Sequence, residues 1–599
     1  MIVKMKKAVL LCTPAQQKQT LDKLRELGMV HIQHVRPPEG EDLEAARNHL
    51  NYVRRVQEIL QAHPDTTPTG TEPEQLVEKV WKLIHQEKEL KEKLQALEHE
   101  HARIAPFGEF DPRKIQKLID EGLVVKLLEV SLKKEIKVPD GVSITEISRN
   151  KNTRYLLAVG REEFDLSNTH EVRLPDRSLS RIDHHLEKTR KALEETQKEF
   201  ARYAGDKKLA DDIVQEAEES VHYLEVHQGM GDADAVVYLS GYFPFDQEDA
   251  LLEAAAENGW GYKIEEVSEA DNPPTLLRNP KWVSPVKAIL KMIDVLPGYR
   301  ELDVSALFLI FLSIFFAFII GDAGYGLLFI GLTLFGKFKA KGKPAAQPGL
   351  NLMLIMSAAT VVFGVLTGNY FGIPIDSLPD WLSGLTSSYM SGWSGDGWNS
   401  DLAANHIMFI CFSIAVVHLS IAHLWNIVRK INSPAALIDL GWLLCTWSLY
   451  AIVLELVLDV KLFPMVQTIK MPLIGAGVLS IIVGLILTKS YIGLITLFLD
   501  VISNFVDIIS YIRLYAVGAA SLSVAQAFNE MALGVGFHGI AALGAALILF
   551  AGHGLNIILG AMGVMVHGIR LNTLEFSGHA GVEWAGIPFA PFKKREKEI

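Results

Sequence analysis

The sequence predicts an α+β soluble half, shaped as a dumbbell, followed by an all-α membrane half of about eight transmembrane helices. Residues 1–300 are rich in charges and contain no apolar run near 18 residues long. From Ser305 onward, long apolar runs with almost no internal charge recur, and runs of about 20 such residues are long enough to cross a bilayer. The chain of 599 residues is also too long for one compact core, since a domain typically holds about 150 residues.

The composition excludes several classes of function. The net charge is −12 and the pI is near 5.9, so there is no basic face to neutralise nucleic-acid phosphates. The three cysteines lie far apart without a CxxC pair, which argues against a disulfide framework or a zinc site. The N-terminal apolar stretch is too short for a signal peptide. We therefore expect a cytoplasmic first half with no nucleic-acid partner, no cofactor and no metal.

The two ends of the soluble half are predicted to form one small α/β lobe from residues 1–40 and 230–290. Residues 7–11 and 29–34 are strand-like and flank a helix at 14–27 that stops at Gly28, which together resemble a βαβ unit. A strand at 235–240, a turn at 241–244 and a helix at 247–258 would complete the lobe.

Between these segments, residues 41–103 and 178–229 are predicted to form an antiparallel coiled coil. Apolar residues between Glu74 and His101 follow three- and four-residue steps that only Glu87 interrupts. The second helix would span roughly 75 Å at about 1.5 Å per residue. Strands at 123–130, 142–147 and 154–159 predict a distal lobe over residues 104–177. The alternative is an ordinary dimerising coiled coil.

Eight apolar segments in residues 301–599 are predicted to span the membrane. Loops predicted to lie inside carry lysine or arginine, whereas the outer loop at 368–404 carries neither, in line with the positive-inside rule. The loop that holds Lys461 and Lys470 is the exception. This topology puts the N-terminal half and the C-terminus in the cytoplasm. The predicted spans are 305–320, 323–335, 351–367, 405–428, 435–458, 472–488, 500–531 and 540–576. The inner loop charges are Lys337, Lys339, Lys341, Lys343, Arg429, Lys430, Lys489, Lys593, Lys594 and Arg595.

Arg513 is the most informative residue, because it lies well inside the seventh span and its guanidinium cannot shed its proton. A permanent cation in lipid needs an anion. At about 100° per residue, Arg513 shares a helix face with a strip of small residues that would let another helix pass closely. A neighbouring face with acidic and serine residues begins at the cytoplasmic end and could admit water. The strip is Ala516, Ala520, Ser523 and Ala527, and the polar face is Asp500, Ser503, Asp507 and Ser510.

The eighth span has a comparable face that ends at a second arginine. Its members recur at helical steps: Asn556, Gly560, Gly563, His567 and Arg570. The alternative for both arginines is structural, namely that they snorkel to the surface or pair with fixed acidic residues.

Four motifs in a fixed order give the sequence a resemblance to a known family. They are Gly241-Tyr-Phe-Pro244, Gly321-Asp-Ala-Gly-Tyr-Gly326, Ser510-Tyr-Ile-Arg513-Leu and His567-Gly-Ile-Arg570-Leu-Asn-Thr-Leu-Glu-Phe576. With them, the chain resembles the membrane-anchored a/I subunits of V-type and archaeal-type ATPases over essentially its whole length. The resemblance implies a stator subunit of the cell (plasma or inner) membrane that couples H⁺ or Na⁺ translocation to ATP synthesis or hydrolysis. The implied partners are a rotating proteolipid (c/K) ring with carboxylates in the bilayer, peripheral-stalk E/G subunits and the central-stalk d/C subunit.

The resemblance also implies roles for particular residues. Arg513 would face the ring carboxylate, favour its charged form so that the ion leaves, and block leakage across the membrane. Arg570 would be the family's second arginine. Asp500, Asn504 and Asp507 would line the inner half-channel. Gly560 stands where eukaryotic members have a glutamate, so the outer half-channel is expected to use other groups. The candidates are Glu455, Asp459 and His567, with Asp322 as a further candidate that has an equally good explanation as a turn residue.

A phosphate-loop pattern from Gly331 to Lys337 fails at Phe338, where serine or threonine should bind magnesium. We therefore expect that the chain does not hydrolyse nucleotide itself. Two rival hypotheses remain at this stage. One is a secondary ion-coupled transporter with a regulatory coiled-coil domain, although no inverted repeat is visible. The other is a membrane-tethered sensor or scaffold, which leaves Arg513 and its acidic neighbours unexplained.

Overall fold

The computed structural model describes residues 1–64, 66–134, 136–394, 397–398, 400–459 and 464–594, so Lys461 and Arg595 lie outside the described residues. Its strands are β1 (Met5–Cys12), β2 (His31–Gln33), β3 (Val124–Ser131), β4 (Ser143–Arg149), β5 (Thr153–Gly160), β6 (His170–Val172), β7 (Gly231–Ala233), β8 (Val236–Pro244), β9 (Gly261–Glu266), β10 (Trp393–Ser394) and β11 (Gly397–Trp398). Its helices are α1 (Gln17–Leu27), α2 (Glu41–Gln61), α3 (Pro73–Ile104), α4 (Pro112–Asp120), α5 (Leu179–Tyr203), α6 (Lys207–Gly229), α7 (Glu248–Asn258), α8 (Val286–Met292), α9 (Ser305–Ile320), α10 (Ala323–Lys339), α11 (Gln347–Thr367), α12 (Asp380–Ser383), α13 (Ser388–Ser391), α14 (Ser400–Arg429), α15 (Ala436–Leu458), α16 (Pro464–Leu487), α17 (Tyr491–Ser510), α18 (Ile512–Val535), α19 (Ala541–Gly563) and α20 (Ser577–Ala580).

The first sheet combines strands from both ends of the soluble half in the order β2-β8-β1-β9, with β7 added beside β8. Every pairing is antiparallel, so β1 and β2 run parallel with β8 between them, and β8 and β9 run parallel with β1 between them. The units β1-α1-β2 and β8-α7-β9 are therefore two interlocked split βαβ units.

The predicted turn at 241–244 is wrong, because these residues lie in β8. Gly241 pairs with Ala8 and Pro244 pairs with Met5 at the end of the strand. A Cβ atom on Gly241 would lie 2.6 Å from the carbonyl oxygen of His31. Glycine is therefore needed here for close packing of β2 on β8, and not for chain reversal.

Four helices connect this sheet to a second one. The ion pairs Arg47–Glu225 and Arg54–Glu218 show that α2 and α6 run antiparallel, and the pair Arg190–Glu98 belongs to the matching contact of α3 with α5. The apolar faces of the predicted coiled coil therefore pack against helices of the same chain, and not against a second copy. The far sheet has the order β4-β5-β3-β6, and its first three strands agree with the predicted ones.

The predicted uninterrupted helix over 178–229 is wrong, because a tight turn at Ala204–Asp206 separates α5 from α6. A Cβ atom on Gly205 would lie 2.3 Å from the carbonyl oxygen of Thr67. Asp206 accepts a hydrogen bond of 2.9 Å from the backbone N–H of Thr69. The connection between α2 and α3 therefore packs into this break and fixes it.

Each of the eight predicted spans coincides with helical structure, and six of the helices among the described residues are long and apolar enough to cross a membrane. The α9 helix is a shorter apolar helix, most of whose residues are buried. The predicted seventh span starts earlier than expected and is interrupted, since α17 ends at Ser510 and α18 begins at Ile512. The six helical segments are Gln347–Thr367, Ser400–Arg429, Ala436–Leu458, Thr468–Leu487, Tyr491–Val535 and Ala541–Ala580.

Residues 585–594, which we call the C-terminal strap, return from the membrane half to the first sheet. Thr275 donates its backbone N–H to the carbonyl of Ile587 over 2.7 Å, and Phe592 donates to that of Val30 over 2.8 Å. Phe592 is 2% exposed and belongs to the core of the first lobe. The membrane half is therefore joined to this lobe by the strap as well as by the chain before α9.

Candidate functional site around Arg513

Arg513 lies just after the break between α17 and α18. Its Nε donates to the carbonyl oxygen of Ser510 over 2.9 Å, and its Nη2 donates to Glu575 Oε1 over 2.7 Å. The side chain of Arg513 is 23% exposed, whereas that of Glu575 is only 4% exposed. The anion that Arg513 requires is thus supplied, in this structure, by the same chain.

Arg570 shares that carboxylate. Its Nε lies 3.3 Å from Glu575 Oε1, and its side chain is 54% exposed. Two π-helical segments, Val564–Gly568 and Leu571–Phe576, flank it, and such wider turns bring residues five apart together. Glu575 Oε2 is buried and has no hydrogen-bond partner among the described residues. One buried carboxylate therefore serves two guanidinium groups and retains free acceptor capacity.

The strip of small residues beside Arg513 is an open surface. Ala516, Ala520, Ser523 and Ala527 are all exposed, as helical geometry predicts. The opposite side of α18 packs tightly, since a Cβ atom on Gly518 would lie 2.4 Å from the carbonyl oxygen of Phe318 in α9. The strip is therefore an exposed helix face of small side chains, over which a neighbouring helix can approach closely.

The corresponding face of the eighth span is mostly covered. Asn556, Gly560 and Gly563 are buried, whereas Arg570 at the end is exposed. A Cβ atom on Gly560 would lie 2.6 Å from the side chain of Ile320. This face is consequently a packing surface against the chain's own helices, and only its end reaches the open surface near Arg513.

The three predicted inner residues follow α17 toward Arg513. Asp500 is exposed and accepts a hydrogen bond of 2.9 Å from Thr496 Oγ1. Asn504 is 1% exposed and donates to Thr446 Oγ1 over 3.1 Å. Asp507 Oδ2 lies 3.1 Å from His579 Nε2. Asp500 is therefore open to the surface and Asp507 is partly open, whereas Asn504 is enclosed between α17 and α15.

Of the predicted outer residues, Glu455 and Asp322 have partners elsewhere, whereas His567 Nδ1 is buried and has no hydrogen-bond partner among the described residues. Glu455 forms an ion pair with Lys470, which lies in α16 and not in the predicted outer loop, because that helix begins at Pro464. Asp322 is 5% exposed and accepts from the backbone N–H groups of Tyr325 over 3.0 Å and Gly372 over 3.2 Å, so it caps the start of α10. Asp459 ends α15 in a left-handed conformation with φ of 50°.

Another polar group was missed by the sequence analysis. Tyr325 Oη lies 2.6 Å from His553 Nδ1, and His553 Nε2 lies 3.1 Å from Asn529 Oδ1. Asn556 donates to Tyr325 Oη over 3.1 Å, and Ser521 donates to Asn556 Oδ1 over 3.0 Å. The available signal was the presence of histidine and asparagine within apolar spans.

No family model matches the chain, but curated relatives do. It is 30% identical over 621 residues to V-type ATP synthase subunit I of Borreliella burgdorferi, covering 100% of both chains. It is also 30% identical to V-type ATP synthase subunit I 1 of Treponema pallidum, covering 99% of this chain and 100% of the relative. The A-type ATP synthase subunit I of Methanocaldococcus jannaschii is 28% identical, covering 84% of this chain and 74% of the relative.

A crystal structure of the cytoplasmic N-terminal domain of subunit I, a homolog of subunit a of V-ATPase, matches 43% of this chain and 100% of that chain. The identity is 16% and the TM-score is 0.22. Assignment to a family therefore depends on the sequence relatives alone.

Proposed function

Since the chain belongs to the subunit I family of V-type and A-type ATP synthases, we propose that it is the stationary membrane subunit through which H⁺ or Na⁺ crosses the bilayer in a rotary ATPase. The observation that carries this proposal is the position of Arg513. Its guanidinium lies at a helix break, beside an open strip of small residues, and is held by a carboxylate that is almost fully buried.

The partner on the strip would be a ring of small proteolipid subunits whose helices carry a carboxyl group. A carboxyl group that holds its ion is neutral and can travel through lipid. Close to Arg513 the charged form is favoured, so the ion leaves. Because the guanidinium stays charged, it also prevents ions from passing straight across. In this scheme, the ring carboxylate temporarily replaces Glu575 at Arg513.

Two half-channels would lead to this point. Asp500, Asn504 and Asp507 on α17 are proposed for the inner one. For the outer one we propose His567 and Asp322 with the hydrogen-bonded group around His553. Glu455 is proposed to contribute less, because Lys470 neutralises it.

We further propose that all eight apolar helical segments cross the cell membrane, with the C-terminus in the cytoplasm beside the N-terminal half. The C-terminal strap supports this, because it packs on the first lobe. The soluble arm would hold peripheral-stalk E/G subunits, and the first lobe would lie near the central-stalk d/C subunit. The chain would hydrolyse no nucleotide; ATP hydrolysis by the purified chain would contradict this.

The test is ATP-driven ion uptake into vesicles that contain the reconstituted complex. Arg513→Ala should abolish uptake while the ATPase subunits still copurify, because the ring carboxylate loses its cation. Arg429→Ala, at the exposed end of α14, is the matched control and should leave uptake unchanged. Coupled uptake by Arg513→Ala would refute the proposal, as would purification of the chain as a lone, active transporter.

A further inference from the structure

Seven lysines lie on two segments that meet at the cytoplasmic end of the membrane half. One segment runs from the end of α10 through the loop before α11, and the other is α8 with the residues just before it. A Cβ atom on Gly349, in the first turn of α11, would lie 4.0 Å from the Cβ atom of Ala288 in α8. Gln347 Nε2 donates to the carbonyl oxygen of Ala340 over 3.5 Å, which holds the loop against α11. The seven lysines, which we call the basic surface, are Lys281, Lys287, Lys291, Lys337, Lys339, Lys341 and Lys343.

The basic surface has almost no counter-charge of its own. Residues 336–349 contain four lysines and no acidic residue, and residues 281–294 contain three lysines and one acidic residue, Asp294. None of the seven forms an ion pair with a residue that the structure describes, whereas other exposed lysines do, as Lys91 does with Glu87. A chain whose net charge is −12 therefore concentrates positive potential here, and such a potential attracts anions.

Large apolar side chains are exposed between the lysines. Phe335 and Phe338 at the end of α10 are 66% and 69% exposed, and Trp282 before α8 is exposed as well. Lys341 Nζ lies 4.8 Å from the centre of the Phe338 ring, so charge and apolar surface lie side by side. The exposed apolar surface continues along α10, through Leu327, Leu328, Leu332 and Leu334. The basic surface therefore lies where a lipid-facing helix leaves the bilayer.

These apolar side chains distinguish among the anions that fit the lysines. Inorganic phosphate or an acidic protein loop would neutralise the lysines but leave Phe335 and Phe338 in water. A phospholipid covers both, because its phosphate lies at the level of the lysines and its acyl chains lie at the level of the rings. The positive-inside rule accounts for lysines on this side of the membrane. It does not require that two segments be folded together, or that aromatic rings lie between the lysines.

We propose that the basic surface binds the phosphate headgroups of anionic phospholipids in the cytoplasmic leaflet, with Phe335 and Phe338 inserted among the acyl chains. The bound lipid supplies the negative charge that the described residues do not. It also holds α8 against the membrane, just before the segment that connects the first lobe to α9. The inference requires that the chain span a membrane, but it does not depend on ion transport at Arg513.

The test measures which lipids contact the basic surface in the purified complex, reconstituted into nanodiscs of phosphatidylcholine. A small fraction of either phosphatidylglycerol or phosphatidylcholine carries a photoactivatable group on its acyl chain, and mass spectrometry locates the labelled peptides. Residues 327–343 should be labelled at least about fivefold more by phosphatidylglycerol, since one lysine beside an anionic headgroup contributes about 1 kcal/mol. The preference should disappear in the variant Lys337→Gln/Lys339→Gln/Lys341→Gln/Lys343→Gln.

Two control variants separate the effect of charge at this surface from other effects. Replacing the same four lysines by arginine keeps the charge and should keep the preference. Replacing four exposed lysines of the distal lobe by glutamine removes as much charge elsewhere and should also keep it. These four are Lys133, Lys134, Lys137 and Lys151. Should the first variant fail to assemble, Lys287→Gln/Lys291→Gln tests the other segment, where the preference at residues 281–292 should fall in the same way.

Several results would overturn the lipid-binding surface. They include equal labelling by the two lipids in the wild type, and a preference that survives in both glutamine variants. Inorganic phosphate should displace the lipid no better than chloride at the same ionic strength, so displacement by phosphate alone would show a site for free anions instead. Protection of these lysines from acetylation in the complex without anionic lipid would show that a protein covers them. Uptake by Arg513→Ala tests the proposed function separately, and its outcome leaves this inference unaffected.

Discussion

Removing the negative charge of Glu575 should slow the rotary cycle. Glu575→Gln keeps the shape of the side chain but leaves Arg513 and Arg570 without the carboxylate that both contact, at 2.7 Å and 3.3 Å. In the proposed cycle, Glu575 competes with the ring carboxylate for Arg513. Without this competitor, the ring carboxylate should bind more tightly and leave more slowly.

The size of the effect follows from the contact that is lost. A hydrogen bond to a charged group contributes about 1.5–3 kcal/mol. Because the Arg513 side chain is 23% exposed, water weakens the contact and the lower half of that range applies. A value of about 2 kcal/mol corresponds to about 30-fold slower release.

The assay is ATP-driven ion uptake measured together with ATP hydrolysis in the assembled complex. Both rates should fall in parallel, by up to the calculated factor, because the ring pauses at Arg513. Glu583→Gln is the matched control, since Glu583 is exposed beyond α20. Unchanged uptake in assembled Glu575→Gln would refute the competition between the two carboxylates.

Three further predictions concern stability. Gly518→Ala should destabilise the membrane half by about 1–3 kcal/mol, because the added methyl group meets the backbone of α9. The control is Gly534→Ala in the same helix, which has open space around it and should be neutral or stabilising. Thermal unfolding in detergent distinguishes the two variants. Phe592→Ala should cost about 3–5 kcal/mol in the first lobe, seen as faster proteolysis of the C-terminal strap. A hydrogen bond from Lys7 lowers the pKa of the Asp271 carboxyl group. The ionised carboxylate therefore adds to the free energy of unfolding at neutral pH, and this contribution is lost as the pH falls below about 4. Asp271→Asn should be less stable than wild type at neutral pH, and this difference in stability should shrink in acid.

The sequence alone was enough to predict the structure where apolar or small residues recur with the regular period of an α-helix. The small residues beside Arg513 are exposed as predicted, because α18 is a regular helix from Ile512 to Val535. The eight apolar segments are likewise all helical. The irregular points were missed. No glycine or proline marks the break at Tyr511, which is fixed by contacts from distant helices, including the hydrogen bond with His418.

Glu575 shows the same limit most clearly. It was quoted as part of a motif but was not singled out, because about 100° per residue places it away from the face of Arg570. The π-helical turn after Arg570 changes that phase and brings the two residues together. The contact between His579 and His423, whose ring nitrogens lie 3.1 Å apart, could not be predicted either, because 156 residues separate them along the chain. Periodicity reports on one helix, whereas these contacts join several.

The C-terminal strap bears on how the molecule resists twisting. One segment of chain, just before α9, connects the first lobe to the membrane half, and the lobe could rotate about a single connection of this kind. The strap adds a second attachment, and the N-terminal amine adds a third, 2.7 Å from the carboxylate of Asp303. Attachments at several separate points prevent the first lobe from rotating relative to the membrane half. If the ring of the proposed function pulls sideways on the membrane helices as it turns, the soluble half bends with them and stores elastic energy along its length.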